Sequence, residues 1–177
     1  MNLKKLVTAA VCTMLMAAVA FTAGCGGEKK SDKKVLKVGM ECAYAPYNWS
    51  QTKADGGAVK IAGSNEYAYG YDVMMAKKLA DSMGADLEIH KIEWDGLAPA
   101  VVSGKIDAAI AGMSITSKRK ETVDFTKPYY YATVVALVKK DSEQAKAQSV
   151  ADLKGSVATS QLNTIWYDQI DQVPDVK

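Results

Sequence analysis

Histidine and cysteine are scarce in this 177-residue chain. His90 is the only histidine, and the cysteines are Cys12, Cys25 and Cys42. No cysteine pair has metal-ligand spacing and a single histidine cannot complete a ligand set, so no metal site is expected. No cofactor is expected either. An excess of one charge is also missing. Of the 22 basic and 20 acidic residues, residues 1–24 hold Lys4 and Lys5 and no acid, which leaves 20 of each sign in the remainder. A neutral surface offers no electrostatic footprint for nucleic acid, and no such partner is expected. No internal repeat is visible. What is present, 49% hydrophobic and 24% charged residues, is the composition of a globular domain.

The start of the chain is unlike the rest. Asn2-Leu3-Lys4-Lys5 is a short cationic segment, followed by a mostly apolar stretch from Leu6 to Gly24. That is the layout of a secretory signal peptide over residues 1–24, to be set apart from fold reasoning. It ends Thr22-Ala23-Gly24-Cys25, which resembles the lipobox of bacterial lipoproteins, although Thr22 stands where Leu is usual. The resemblance implies that Cys25 receives diacylglycerol and becomes the mature N-terminus. The competing reading is a transmembrane anchor, since about 18 apolar residues can span a bilayer. Small residues immediately before a cysteine favour the lipoprotein. Residues 25–34 are polar and read as a flexible tether. Cys12 leaves with the signal, and Cys42, without an internal disulfide partner, is expected to pack as a small apolar residue.

Structure is expected to begin with a strand at Val35-Leu36-Lys37-Val38, and residues 51–65 read as a loop or loose hairpin. Ala76, Leu79, Ala80 and Met83 follow helical spacing, with Gly84 placed as a C-terminal cap. Leu87 and Ile89 alternate with Glu88 and His90, which predicts a strand with His90 exposed. Asp95 is placed to cap a helix running to about Ser103, and Ile106–Met113 reads as a buried strand. Further strands are predicted at Thr133–Val138 and from Val157. A helical turn is predicted over 149–155, and a helix capped by Thr164 that carries Ile165 and Trp166. Strands alternating with helices predict a largely parallel α/β sheet.

The block Ser103-Gly104-Lys105-Ile106-Asp107-Ala108-Ala109-Ile110-Ala111-Gly112-Met113-Ser114-Ile115-Thr116 continues through Arg119 to Asp124-Phe125-Thr126 and Pro128-Tyr129-Tyr130. Together with Ala43-Tyr44-Ala45-Pro46-Tyr47, Gly70-Tyr71-Asp72-Val73 and Trp94-Asp95-Gly96-Leu97, it resembles the periplasmic-type solute-binding proteins of polar amino-acid importers, family 3. The resemblance implies a two-lobed periplasmic-binding-protein-like α/β fold with a ligand cleft between the lobes. The first lobe is expected over residues 35–127. Residues 128–177 would form the crossover and the start of a second, incomplete lobe. It also implies a monomer outside the cytoplasm, held by a lipid anchor. Its partners would be an amino acid and the membrane-embedded permease subunits of an ATP-binding-cassette importer.

An amino acid needs donors for its carboxylate, acceptors for its ammonium and a fitted side-chain pocket. Arg119 suits the carboxylate because a planar guanidinium binds both oxygens, although Lys118-Arg119-Lys120 also reads as a solvated run. By resemblance, Gly112, Met113, Ser114 and Arg119 line the cleft, with Ser114 and Arg119 on the carboxylate. Tyr44 and Trp94 would pack against the ligand, or simply within the core. Tyr129, Tyr130 and Tyr131 are expected to pack at the crossover. Glu41 aligns with an acidic position that meets the cationic end of basic amino acids, and also reads as a surface residue at a strand end. In the second lobe Ser160 and the turn Gln161-Leu162-Asn163-Thr164 take the place of the family's Gln-Gly-Thr-Thr, with Asn163 and Thr164 as ligand residues. Leu162 does not readily take positive φ, so a different loop shape is expected. An enzyme on the same fold lacks a nucleophile with its base in this sequence. A sensory ectodomain would need a transmembrane helix leading to a cytoplasmic module.

Overall fold

The computed structural model describes residues 33–177, so the expectations for residues 1–32, including lipidation of Cys25, lie outside the described residues. Residues 34–177 form one compact unit. Strand β1 (Val35–Met40) buries Leu36, Val38 and Met40 at alternate positions, the period expected of side chains on one face of a strand. β1 is central in a three-stranded parallel sheet. It pairs with β6 (Asp86–Lys91), where Val38 faces Ile89, and with β7 (Ala108–Ala109), where Val38 faces Ala108. Val38, Met40 and Ile89 are among the most buried residues described.

A second, antiparallel sheet has the order β2–β3–β5–β4, made of β2 (Ala43–Tyr44), β3 (Asn48–Gln51), β4 (Val59–Lys60) and β5 (Tyr67–Tyr69). Trp49 on β3 faces Tyr69 on β5, and their rings meet edge-on at 5.0 Å. The sheet content is therefore mixed rather than largely parallel. The segment expected as a loop or loose hairpin contributes β4, which returns antiparallel on β5.

Helix α1 (Tyr71–Met83) ends at Gly84, whose φ of 62° is the left-handed conformation a C-terminal cap requires, as the sequence predicts. Its buried stripe is Val73, Ala76 and Ala80, while Leu79 and Met83 are exposed. Small side chains let this helix lie close against the sheets, and the larger apolar residues turn outward. A 3-10 turn at Trp94–Gly96 leads into α2 (Leu97–Val102), which buries Leu97 and Ala100. Asp95 caps nothing here: the N-cap position is Gly96, and the Asp95 carboxylate is engaged elsewhere.

The buried strand predicted over Ile106–Met113 shortens to β7, although Ile106 and Ala111 remain in the core. α3 (Ser117–Lys120) follows, capped by the Thr116 hydroxyl. The predicted strands at Thr133–Val138 and Val157 are not formed. Leu137 is 99% exposed and Val157 82%. A strand needs a ladder partner, and apolar character alone does not supply one. Near Val157 the backbone does bond to the last residues, Gly155 to Pro174 and Lys177 to Ser156, in a pairing too short to make a strand. The turn predicted over 149–155 is present as a 3-10 helix, Val150–Leu153, with Ser149 and Asp152 forming a capping box. α4 (Ile165–Ile170) is capped by Thr164, as predicted. His90 is half-buried rather than exposed, with Nε2 2.7 Å from a Glu88 carboxylate oxygen. Among the described residues no helix is long and apolar enough to cross a membrane.

Candidate functional site

Arg119 lies on α3, where its backbone N–H donates to the Thr116 hydroxyl at 3.1 Å. A helical turn separates three consecutive bases: Lys118 and Lys120 are exposed, and Arg119 turns inward and is half-buried. Its Nη1 donates to the Ser114 carbonyl at 2.7 Å, and its Nη2 donates to the Asn163 carbonyl at 2.8 Å. The guanidinium lies 5.2 Å from the centre of the Trp94 ring, within cation–π range. Burial lowers the guanidinium from its ordinary range, and the Asp168 carboxylate opposes this. The cation stays charged, with further N–H donors beyond the two engaged.

The turn from Gln161 to Thr164 reaches this cation from the other side. Trp94 Nε1 also donates to the Asn163 carbonyl, at 3.0 Å, and the Asn163 side-chain amide donates to Asp95 Oδ1 at 2.9 Å. Asn163 has φ 60°, the left-handed region, so the strained position in this turn is Asn163 and not Leu162. Asparagine adopts that conformation more readily than most residues, and here its side chain bonds across to Asp95. The Thr164 hydroxyl donates to the Gln161 carbonyl at 2.7 Å and accepts from Tyr167 N–H at 3.2 Å, which closes the turn and caps α4. Gln161 Nε2 donates to Glu41 Oε1 at 2.9 Å, just past the end of β1.

Two cavities adjoin Arg119. One, of about 210 Å³, is lined by Trp94, Asp95, Ala98, Met113, Arg119 and Asn163. The other, of about 10 Å³, has room for roughly one water and lies among Gly112, Ser114, Arg119, Thr164 and the Trp94 and Trp166 rings. Tyr44 stacks on Tyr47 with centroids 4.9 Å apart and lies tilted against Trp166 at 5.7 Å. The Tyr44 ring also lies against Gly112, where a Cβ would come within 3.3 Å of it.

Trp94, Gly112, Met113, Ser114, Arg119, Asn163 and Thr164 are thus gathered around one cation, with Tyr44 beside Gly112. Glu41 is tied to the same turn through Gln161. Ser160 is half-buried, lines neither cavity and makes no side-chain hydrogen bond among the described residues. Tyr129 and Tyr130 pack against Tyr71, and Tyr131 is exposed. Sequence reasoning missed Asp95, Gln161 and Trp166. Asp95 and Trp166 carried signals, as a helix cap and an apolar helical position, that pointed to structural roles.

Residues 36–173 match the bacterial extracellular solute-binding proteins, family 3. The arginine-binding extracellular protein ArtP of Bacillus subtilis is 34% identical over 136 residues, covering 77% of this chain and 47% of that protein. The ABC transporter arginine-binding protein 1 of Escherichia coli K12 is 32% identical over 176 residues, covering 99% of this chain and 61% of that protein. The solved structure of an ancestral arginine-binding protein bound to arginine superposes with a TM-score of 0.64 at 33% identity, covering 82% of this chain and 60% of that one. The chain therefore spans about half to three-fifths of the length of the relatives it matches, and shares their periplasmic-binding-protein-like α/β fold. On the match over residues 36–173, the chain belongs to the bacterial extracellular solute-binding proteins, family 3.

Proposed function

We propose that this protein captures an amino acid outside the cytoplasm and delivers it to the permease subunits of an ATP-binding-cassette importer. It would act as a monomer tethered by lipid on Cys25, with a first lobe over residues 35–127 and a second beginning at 128. The observation that carries the reading is Arg119, a half-buried cation held by the Ser114 carbonyl and the Trp94 ring at the wall of a cavity of about 210 Å³. The α-carboxylate would take the place of the Asn163 carbonyl on Nη2, and the planar guanidinium would grip both oxygens. Ser114 would assist, and Thr164 would turn its O–H away from the Gln161 carbonyl toward the same carboxylate. Backbone around Gly112 would accept from the ammonium.

Trp94 would supply an apolar wall with the Tyr44 ring behind Gly112, and Glu41, which lines neither cavity and bonds to Gln161, would turn its carboxylate to a cationic side chain. The relatives named for arginine support a basic ligand. We read the protein as a binder rather than an enzyme, because no nucleophile in either cavity is paired with a histidine base and His90 lines neither.

Calorimetric titration of the full-length protein with each of the twenty amino acids tests the reading. Arginine, lysine or histidine should bind most tightly, and Glu41→Gln should weaken them by about tenfold or more while sparing neutral amino acids. Preferential binding of glutamate or aspartate would overturn the basic assignment, and binding of none would overturn the function.

A further inference from the structure

Three residues that line neither cavity connect two backbone turns, at Cys42 and at Gly112, through one buried carboxylate. Asp72, in the first turn of α1, and Asn48, on β3, are both 0% exposed. Asp72 Oδ2 accepts from Asn48 Nδ2 at 2.7 Å, and Oδ1 accepts from the Tyr129 hydroxyl at 2.7 Å. At their far ends these partners reach backbone. Asn48 Oδ1 accepts from the Cys42 N–H at 2.8 Å, and the Tyr129 oxygen accepts from the Gly112 N–H at 3.2 Å. Cys42 and Gly112 both have positive φ, 57° and 61°, and both stand where the chain leaves the parallel sheet beside site residues. Glu41 and Tyr44 flank Cys42, and Met113 and Ser114 follow Gly112.

The chemistry of the centre fixes the direction of every bond. Burial raises Asp72 from the ordinary carboxylate range, and the bonds from Tyr129 and Asn48 oppose this; in the ionised form that those bonds favour, its carboxylate only accepts. Asn48 must therefore present its NH₂ to Asp72 and its carbonyl to Cys42. Tyr129 must give its proton to Asp72 and keep its oxygen for Gly112. An asparagine at 72 could accept from Tyr129 but would set an NH₂ against the NH₂ of Asn48. A buried carboxylate costs stability unless it is bonded, and an apolar side chain would fill this space at less expense. That cost is understandable if the two backbone turns matter to binding.

We propose that Asp72 is a positioning residue for the ligand site: through Asn48 and Tyr129 it holds the Cys42 and Gly112 turns in register with each other. Glu41, Tyr44 and Ser114 are thereby set to meet one ligand. The proposal rests on the ligand-binding reading above. Tyr71 supports the arrangement from the side, stacking on Tyr129 at 6.1 Å and donating its hydroxyl to the Tyr129 carbonyl at 3.1 Å.

The experiment compares full-length wild type with Asp72→Asn, Tyr129→Phe, the double variant and an exposed control, Tyr131→Phe. L-arginine affinity is measured by calorimetry and amide exchange by NMR. Asp72→Asn and Tyr129→Phe should each weaken L-arginine by about tenfold or more, and the double variant should lose little beyond the worse single one, because all three break one chain of bonds. The Gly112 and Cys42 amides should exchange faster while the Val38 amide keeps its protection, and Tyr131→Phe should match wild type throughout. Unchanged Gly112 and Cys42 exchange, additive losses, or affinities within about twofold of wild type in folded variants would overturn the proposal. If Asp72→Asn does not fold, Tyr129→Phe decides alone, since it removes a single oxygen from a half-buried ring. If wild type binds no amino acid the functional reading fails, and amide exchange still decides whether the network holds the turns.

Discussion

The Arg119 guanidinium is held by three contacts at once: a carbonyl from its own strand-to-helix turn, a carbonyl from the turn at 161–164, and an aromatic face. It is also the only arginine in the sequence, all the other basic side chains apart from His90 being lysines. Lysine cannot make a planar two-pronged contact. Arg119→Lys should therefore weaken amino-acid binding substantially, and Arg119→Ala should cost at least about 3 kcal/mol, more than a hundredfold in Kd, because charged hydrogen bonds each contribute about 1.5–3 kcal/mol. Titration calorimetry on the folded variants checks both, and the loss should be similar for every amino acid accepted. Cys42 gives a second test. Burial pushes its thiol up to about 11, with Lys91 lowering and Glu66 raising it by smaller amounts. At pH 8 roughly one thiol in a thousand would be ionised, against about one in four for a free cysteine of pKa near 8.5. In a Cys12→Ser, Cys25→Ser background, iodoacetamide should modify Cys42 at least about a hundredfold more slowly than in urea-unfolded protein at that pH, by this thiolate ratio. A rate within tenfold would show the thiol to be accessible. The packing role of Cys42 was legible from its lack of a partner. Its positive φ was not, because no residue type in this stretch signals it; in the structure the turn has φ 57° at Cys42, whose backbone N–H donates to Asn48 Oδ1.

Among the elements, those that carry their own local signals match the sequence best. Gly84 ends α1, Ser149 and Asp152 close a capping box, and Thr164 caps α4. Such signals need only a few consecutive residues, so sequence contains them whole. Elements that depend on a distant partner were less legible. Thr133–Val138 is apolar enough for a strand and pairs with no other strand among the described residues. Asp95 reads as a cap from its position before Gly96 and Leu97, yet its carboxylate accepts from Asn163, 68 positions along the chain. The Thr164 cap supports a prediction at this scale. Thr164→Ala removes the acceptor for Tyr167 N–H and frees the Gln161 carbonyl, and loss of such a cap costs about 0.5–2 kcal/mol. Urea denaturation should show a lower midpoint with an unchanged slope, and the Gln161–Thr164 turn should loosen, weakening amino-acid binding as well. A variant with an unchanged midpoint would mean the cap contributes nothing to stability.

For the whole molecule, the anchoring proposal predicts that Cys25→Ser releases the protein from the membrane fraction or leaves an uncleaved precursor. Identical processing and fractionation of variant and wild type would exclude lipidation at Cys25. Fold class and family follow from local pattern, because the β1 alternation, the α1 period with its glycine cap, and the ordered motifs from Tyr44 to Tyr130 are each written in short stretches of sequence. The residue types for a carboxylate site were visible too, in Ser114 and Arg119 within one block. Tertiary structure alone decided which base turns inward, that the Asn163 carbonyl and the Trp94 ring meet on that base, and that Glu41 bonds to a glutamine 120 positions away. It also made Asp72, an ordinary helix-start acid in sequence, the buried centre linking Cys42 to Gly112. The physical reason is that caps and periodicity are settled within a turn or two of backbone. A hydrogen bond between remote side chains exists only after the sheets have packed, and nothing in either segment alone encodes the distance between them.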